Sequence, residues 1–358
     1  MRTYSLLGAL LLASTAAAQD IGGRASPQFV HYTLGSPTNN TISEFALPIF
    51  AVVPVNSMLS FDVGTAFASA KLTSTGSGQT NQSSLSGLTD TQIRSTVTLG
   101  SDLVLLTGGL NLPTGRSTVK PSEQAAAGAI SSDFLIFPIP SLGSGFGGTG
   151  GIALAKPMGD WNLGAGVSVR RTQPFEPFSD STGTKYRFTP GNETRARIGF
   201  DHPYGTGRAA LGFTYSKFSD NQLATSIYNT GDRLLSQGYL TSAAGSGDYT
   251  LSAWNLFRAS GTQVDGSASG KEMITDVGGS WGIVMGDSRF EPSLDVRTWM
   301  QQGASSSFQT TLAFHYDRPM GSVYVSPGAG FTFGKLASGS TTTASLSGFR
   351  AQLTVRTR

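Results

Sequence analysis

Along much of the chain, apolar residues recur at every second position, and the longest unbroken example is residues 271–358. Within 288–302 one set is Phe290, Pro292, Leu294, Val296, Thr298 and Met300; the set between them is Arg289, Glu291, Ser293, Asp295, Arg297 and Trp299. Within 306–318, Phe308, Thr310, Leu312, Phe314 and Tyr316 alternate with Gln309, Thr311, Ala313, His315 and Asp317. Residues 345–358 set Phe349, Ala351, Leu353 and Val355 against Arg350, Gln352, Thr354 and Arg356. A period of two places each set on one face of a β-strand. Soluble strands usually run to about five or six residues, and these runs are about twice that. A tilted strand crosses a bilayer in about 9–11 residues. Long strands with one apolar face and one face carrying Arg, Asp, Glu and His predict an all-β, transmembrane, antiparallel up-and-down β-barrel, apolar side outward and ionisable side toward an enclosed axis.

The same pattern predicts strands upstream, at 28–34, 43–53, 58–72, 91–100, 102–112, 151–158, 161–171, 194–201, 208–219, 232–242 and 248–258. With residues 271–285 and the runs that follow, the total is sixteen if 28–34 is the first strand. It is fourteen if 28–34 is an internal plug and one further strand is overcounted. Short turns are expected at 54–56, 100–101, 159–160, 202–207, 243–247, 286–287 and 319–321, with polar loops at 73–90, 113–148, 172–193, 220–230 and 259–270. Short turns at one end and long loops at the other are the asymmetry of outer-membrane barrels. The domain reading is a signal peptide at 1–18, an N-terminal segment at 19–40 that is a first strand or a short plug, and a barrel at 41–358.

Residues 1–18 carry the export pattern: Arg2, an apolar stretch at 6–13, and Ala16-x-Ala18 before a cleavage site expected after Ala18. No other apolar run reaches the roughly 18 residues of a membrane helix. The expected location is therefore the outer membrane of a Gram-negative-type bacterium, with bilayer lipid and the barrel-assembly machinery as partners. Twenty-five basic residues against 22 acidic ones are too evenly balanced for a nucleic-acid partner. The absence of Cys removes disulfides and thiolate metal sites. Barrels of this kind usually end in an aromatic residue, whereas this sequence ends Arg356-Thr357-Arg358.

Residues that could carry chemistry are few. His31, His202 and His315 have no second histidine at metal-ligand spacing, so neither enzymatic activity, nor a metal, nor a cofactor is expected. The informative side chains are the ionisable ones on predicted inward faces: Asp62, Arg94, Arg170, Arg195, Arg197, Glu291, Asp295, Arg297, His315, Asp317 and Arg350, with Arg356 beyond them. An Arg facing lipid at mid-depth costs about 2–4 kcal/mol, so their consistent placement implies a wet or ion-paired interior. They read either as a channel wall that sets selectivity or as cross-strand pairs bracing a closed lumen. Within the longest loop, Phe134, Leu135, Ile136, Phe137 and Ile139 form an apolar run that is costly to leave in water. They are expected to fold over or into the mouth as an apolar contact site.

Gly109-Leu110-Asn111-Leu112-Pro113-Thr114-Gly115 resembles the G-x-x-x-P-T-G element of outer-membrane transporters for hydrophobic compounds. That group is associated with phenol-degradation pathways and is distantly related to the long-chain fatty-acid (FadL-like) transporters. Residues 134–148 and Asn229-Thr230-Gly231-Asp232-Arg233-Leu234 are similar to barrels of the same kind. The resemblance covers short patches and implies passive uptake of a small hydrophobic solute through a loop-lined entrance. The fatty-acid transporter has an N-terminal plug, which the short segment before Thr41 does not match. Two other functions fit the same strands: a general aqueous porin, and a structural or adhesive barrel with a filled lumen.

Overall fold

A computed structural model of the chain describes residues 21–76, 79–100 and 103–357; the expected signal peptide and its cleavage site lie outside them. The wall strands are β1 (Gly22–Ala25 continued by Gln28–Leu34), β2 (Asn40–Pro54), β3 (Leu59–Gly76), β4 (Gln79–Leu88 continued by Thr91–Leu99), β5 (Val104–Leu112), β6 (Gly147–Met158), β7 (Trp161–Thr172) and β8 (Glu193–Tyr204). They continue with β9 (Gly207–Phe218), β10 (Arg233–Ala244), β11 (Gly247–Arg258), β12 (Glu272–Met285), β13 (Ser288–Gln301), β14 (Ser307–Met320), β15 (Val323–Ala337) and β16 (Thr343–Thr357). The 18 paired segments make sixteen strands, because β1 and β4 are each built of two. Each strand pairs antiparallel with the next, and β16 returns to β1 through Gly348↔Tyr32 and Arg356↔Arg24. The wall therefore closes on itself, which gives its N–H and C=O groups partners within the sheet.

Residues 28–34 belong to the wall, which decides the count at sixteen rather than fourteen. The interruption in β1 falls at Pro27, which has no N–H to donate; around it Ser26 N–H donates to Pro48 O and Leu353 N–H to Pro27 O.

The alternation in the sequence maps onto the two faces of the wall. Outward positions hold Phe67, Leu110, Leu154, Val169, Leu211, Leu251, Val277, Leu294, Leu312, Phe331 and Phe349, all substantially exposed. Their neighbours in sequence face the axis, in rows that the register carries from strand to strand: Asp276 opposite Arg297, Arg297 opposite Gln309. Five connections at one end are two-residue turns whose first residue is Gly159, Gly205, Gly245, Gly286 or Gly321, with φ between 51 and 64°. The right-handed twist of the strands favours such turns, and they require positive φ. Two of them are tighter than the stretches 202–207 and 243–247 that the sequence suggests.

Three stretches expected to be loops contain strands. Residues 73–90 are mostly the hairpin that extends β3 and β4 past the neighbouring wall. Residues 172–193 and 220–230 hold the segments Phe175–Ser179, Lys185–Thr189, Asn221–Leu223 and Ser226–Tyr228, which form a separate four-stranded sheet. Beyond the hydrocarbon both faces of a strand can meet water, so apolar alternation is no longer required and the signal that marks the wall is lost.

Candidate functional site

Residues 113–146, between β5 and β6, form an insert seated in the loop end of the barrel. A 3₁₀ turn, Pro121–Glu123, leads into helix α1 (Gln124–Ile130) within the stretch expected to be a polar loop. Ala126, Ile130, Phe134, Leu135, Phe137 and Leu142 of the insert share one buried cluster with Tyr32, Ile42, Ala68, Ala70, Leu85, Ile274 and Leu346 of the wall. Burying each large side chain contributes about 1.5–3 kcal/mol. Polar groups fix the position. Tyr32 Oη donates to Leu135 O at 2.8 Å, and Ile139 N–H donates to Glu44 Oε1 at 3.1 Å. Arg297 Nη1 and Gln309 Nε2 both donate to Phe134 O, at 2.9 and 3.2 Å. The Phe134 ring stacks on Trp299 at 5.8 Å, and Arg258 pairs with Asp133 at 2.7 Å.

The neck of the insert is tied at Asp90. Its carboxylate accepts from Gly115 N–H (3.1 Å), Ser144 N–H (2.7 Å) and Asn111 Nδ2 (2.8 Å), and its own N–H donates to Leu142 O. One side chain thus joins the two ends of the insert to β4 and β5. Gly115 lies against this knot, where an added Cβ would collide with the Leu142 carbonyl and the Asp90 backbone. Gly115→Ala is therefore expected to unseat the neck at a cost of about 1–3 kcal/mol, the usual penalty of overpacking. Faster proteolysis within residues 113–146, with the barrel itself uncut, would register it; equal cleavage rates would refute it.

Glu123 is the second tie. Partial burial opposes its charge, but hydrogen bonds from the Arg116 guanidinium and the Lys120 N–H outweigh that and hold its carboxyl below the usual 4.5. A carboxyl with a lowered folded pKa adds stability that is fully present above the ordinary value and vanishes as pH falls through the lower one. Protease sensitivity around α1 should then rise only below about pH 4.5. Glu123→Gln should flatten that dependence; a rise already present at neutral pH would contradict the assignment.

The apolar run is drawn into this seat. Phe134, Leu135 and Phe137 are buried, Ile139 packs against the cluster, and Ile136 alone is turned out at 45% exposure. Apart from Ile136, these side chains are packed against the wall and do not present a free apolar surface.

The inward charges divide into two groups. On one side arginines are paired: Arg297 with Asp276 (2.8 Å), Arg289 with both Asp248 (2.5 Å) and Glu291 (3.0 Å), and Arg258 with Glu272 as well as Asp133. Asp295 on β13 and Arg350 on β16 face the lumen on the same side, on adjacent rows. His315 and Asp317 do not bond each other; His315 Nδ1 meets Gln352 Nε2 at 3.0 Å and Asp317 accepts from Ser326. On the other side, β3 to β8 enclose a cavity of about 620 Å³ lined by Asp62, Arg94, Thr149, Arg170, Arg195 and Arg197 among others. No group of three or more potential metal ligands occurs among the described residues.

Glu44, Asp90, Tyr32 and Asp276 are the site residues that sequence reasoning missed. Parity on β2 already puts Glu44 on the inward face beside Phe45, so it was within reach. Asp90 sat in a stretch expected to be loop, and nothing local distinguishes it from a turn residue.

Neither a family model nor a curated protein matches the sequence. Among solved structures, the fold is similar to OprB of Pseudomonas putida in its high-pH structure, with a TM-score of 0.52 and 10% identity over 94% of this chain and 93% of that one. It is also similar to the outer membrane protein OpdK of Pseudomonas aeruginosa, with a TM-score of 0.46 and 7% identity over 94% of this chain and 98% of that one. At these identities the likeness is one of fold.

Proposed function

We propose that the protein is an outer-membrane channel through which small solutes move passively, its loop end narrowed by residues 113–146. The observation that carries this reading is an enclosed axis lined by ionisable groups, with the insert seated against one side and an arginine-lined space left on the other. Exposed Phe, Leu and Val rows on the outer face suit a hydrocarbon environment, where the closed ladder satisfies the wall. Planar-bilayer recording tests it. Discrete conductance steps that scale with salt are expected, and protein that shifts on heating in a gel yet gives no steps would favour a structural or adhesive barrel.

Uptake of a small hydrophobic solute, the function implied by the resemblance, is the second reading. It draws support from Phe50, Val52 and Val284, which face the axis at the turn end and are about half exposed. Burial of Phe134, Leu135 and Phe137 weakens it, because the apolar groups nearest the entrance are already covered. Faster equilibration of a small phenol than of a charged solute of equal size into proteoliposomes would favour it over the polar route.

A further inference from the structure

We propose that the cavity between β3 and β8 is a binding site for small organic carboxylates. Four arginines, Arg94, Arg170, Arg195 and Arg197, line it against one carboxylate, Asp62. Arg195 is held by Glu193 at 2.5 Å. Arg94, Arg170 and Arg197 are exposed to the lumen, and none has a carboxylate within 4 Å among the described residues; Arg94 instead donates to Gln92 at 2.8 Å. Elsewhere in the lumen Arg258, Arg289 and Arg297 are each tied to at least one carboxylate. Bracing therefore accounts for those three arginines, and the cavity wall keeps positive charge to spare.

The register explains how that charge surrounds one space. Asp62, Arg94, Gly109, Thr149 and Arg170 lie on a single row across β3, β4, β5, β6 and β7. The two arginines are three strand spacings apart, about 14 Å at the backbone, with a residue lacking a side chain and a threonine between them. A Cβ added at Gly109 would meet nothing nearer than 3.7 Å, so the floor between the arginines is open. Guanidinium groups match carboxylate geometry through paired N–H donors. Several of them facing one water-filled space fit a solute with more than one carboxylate better than a neutral one. The site rests on the channel reading for how a solute arrives, but binding is measured apart from transport.

Succinate binding to the full chain in detergent, followed by calorimetry, tests the proposal, with succinamide and inorganic phosphate as comparison ligands. Succinate should bind at least about tenfold more tightly than succinamide, since charge-assisted bonds are roughly twice as strong as neutral ones. Its binding should fall sharply at 1 M salt, where the screening length is about 3 Å. The triple variant R94Q/R170Q/R197Q should lose about tenfold or more in affinity, and Gly109→Val should weaken binding by filling the floor with charge unchanged. Lys156→Gln, on the outer face, should leave it alone. Equal binding of succinamide, indifference to salt, or unchanged succinate affinity in a heat-modifiable triple variant would overturn the proposal. Phosphate binding as tightly as succinate would overturn the carboxylate assignment. Succinate binding without bilayer conductance would sink the channel reading and leave this site standing; conductance without succinate binding would do the reverse.

Discussion

Excising residues 116–143 and joining the ends through a short Gly-Ser turn is expected to raise single-channel conductance severalfold while the barrel stays closed. The wall is held by a continuous antiparallel ladder from β1 round to β16, and none of that pairing passes through the insert. Porins of sixteen strands enclose an aqueous channel when nothing fills it. What fills this one is the cluster around Phe134, Leu135 and Phe137, packed on Tyr32, Ile42 and Ile274. Removing it exposes those wall residues to water, so thermal stability should drop even as conductance climbs, by about 1.5–3 kcal/mol for each large side chain left uncovered. Retained heat-modifiability on a gel would show that the wall survived. A variant that folds and conducts like the parent would mean the insert is not the constriction, and the proposed narrowing would have to be abandoned.

Substitution of Arg297 should have the largest effect of any single side chain. Arg297 and Asp276 are 11% and 7% exposed, joined at 2.8 Å across β12 and β13. The same guanidinium donates to Phe134 O and lies 5.2 Å from the centre of the Trp254 ring. Arg297→Met leaves Asp276 enclosed and without its partner, a change that costs about 3–5 kcal/mol. It also frees the turn of the insert that carries Phe134, so proteolysis there should quicken in step with the loss of stability. The double variant R297M/D276L should recover most of the loss, because replacing both members of a buried pair with apolar groups is often neutral. Denaturant midpoints for the two single variants and the double form a cycle. Additive effects would show that the two side chains act independently, contrary to the geometry.

How much of this was legible beforehand differs from element to element. Phe290, Leu294 and Val296 alternating with Glu291, Asp295 and Arg297 announced both the strand and its orientation, because a two-residue period admits only one partition between lipid and lumen. The hairpin over 73–90 was missed because Ser, Thr and Gln carry no such partition once both faces are wet. The apolar run at 134–139 was legible as a segment that would not stay in water, but its occupants were not: Tyr32, Glu44 and Trp299 lie on strands far from it in sequence. Asp90 gave no warning, since its importance comes entirely from joining Gly115, Ser144 and Asn111.

The chain's own pattern was enough to determine a long-stranded barrel, the outward and inward faces of its strands, and the end at which the loops gather. These follow from local periodicity and from the need to satisfy every backbone donor and acceptor within the sheet. Which inward arginines would be neutralised and which left free was settled only by closure. The lateral register between strands, set by no single segment, brought Arg297 to Asp276 and left Arg94, Arg170 and Arg197 around an open space.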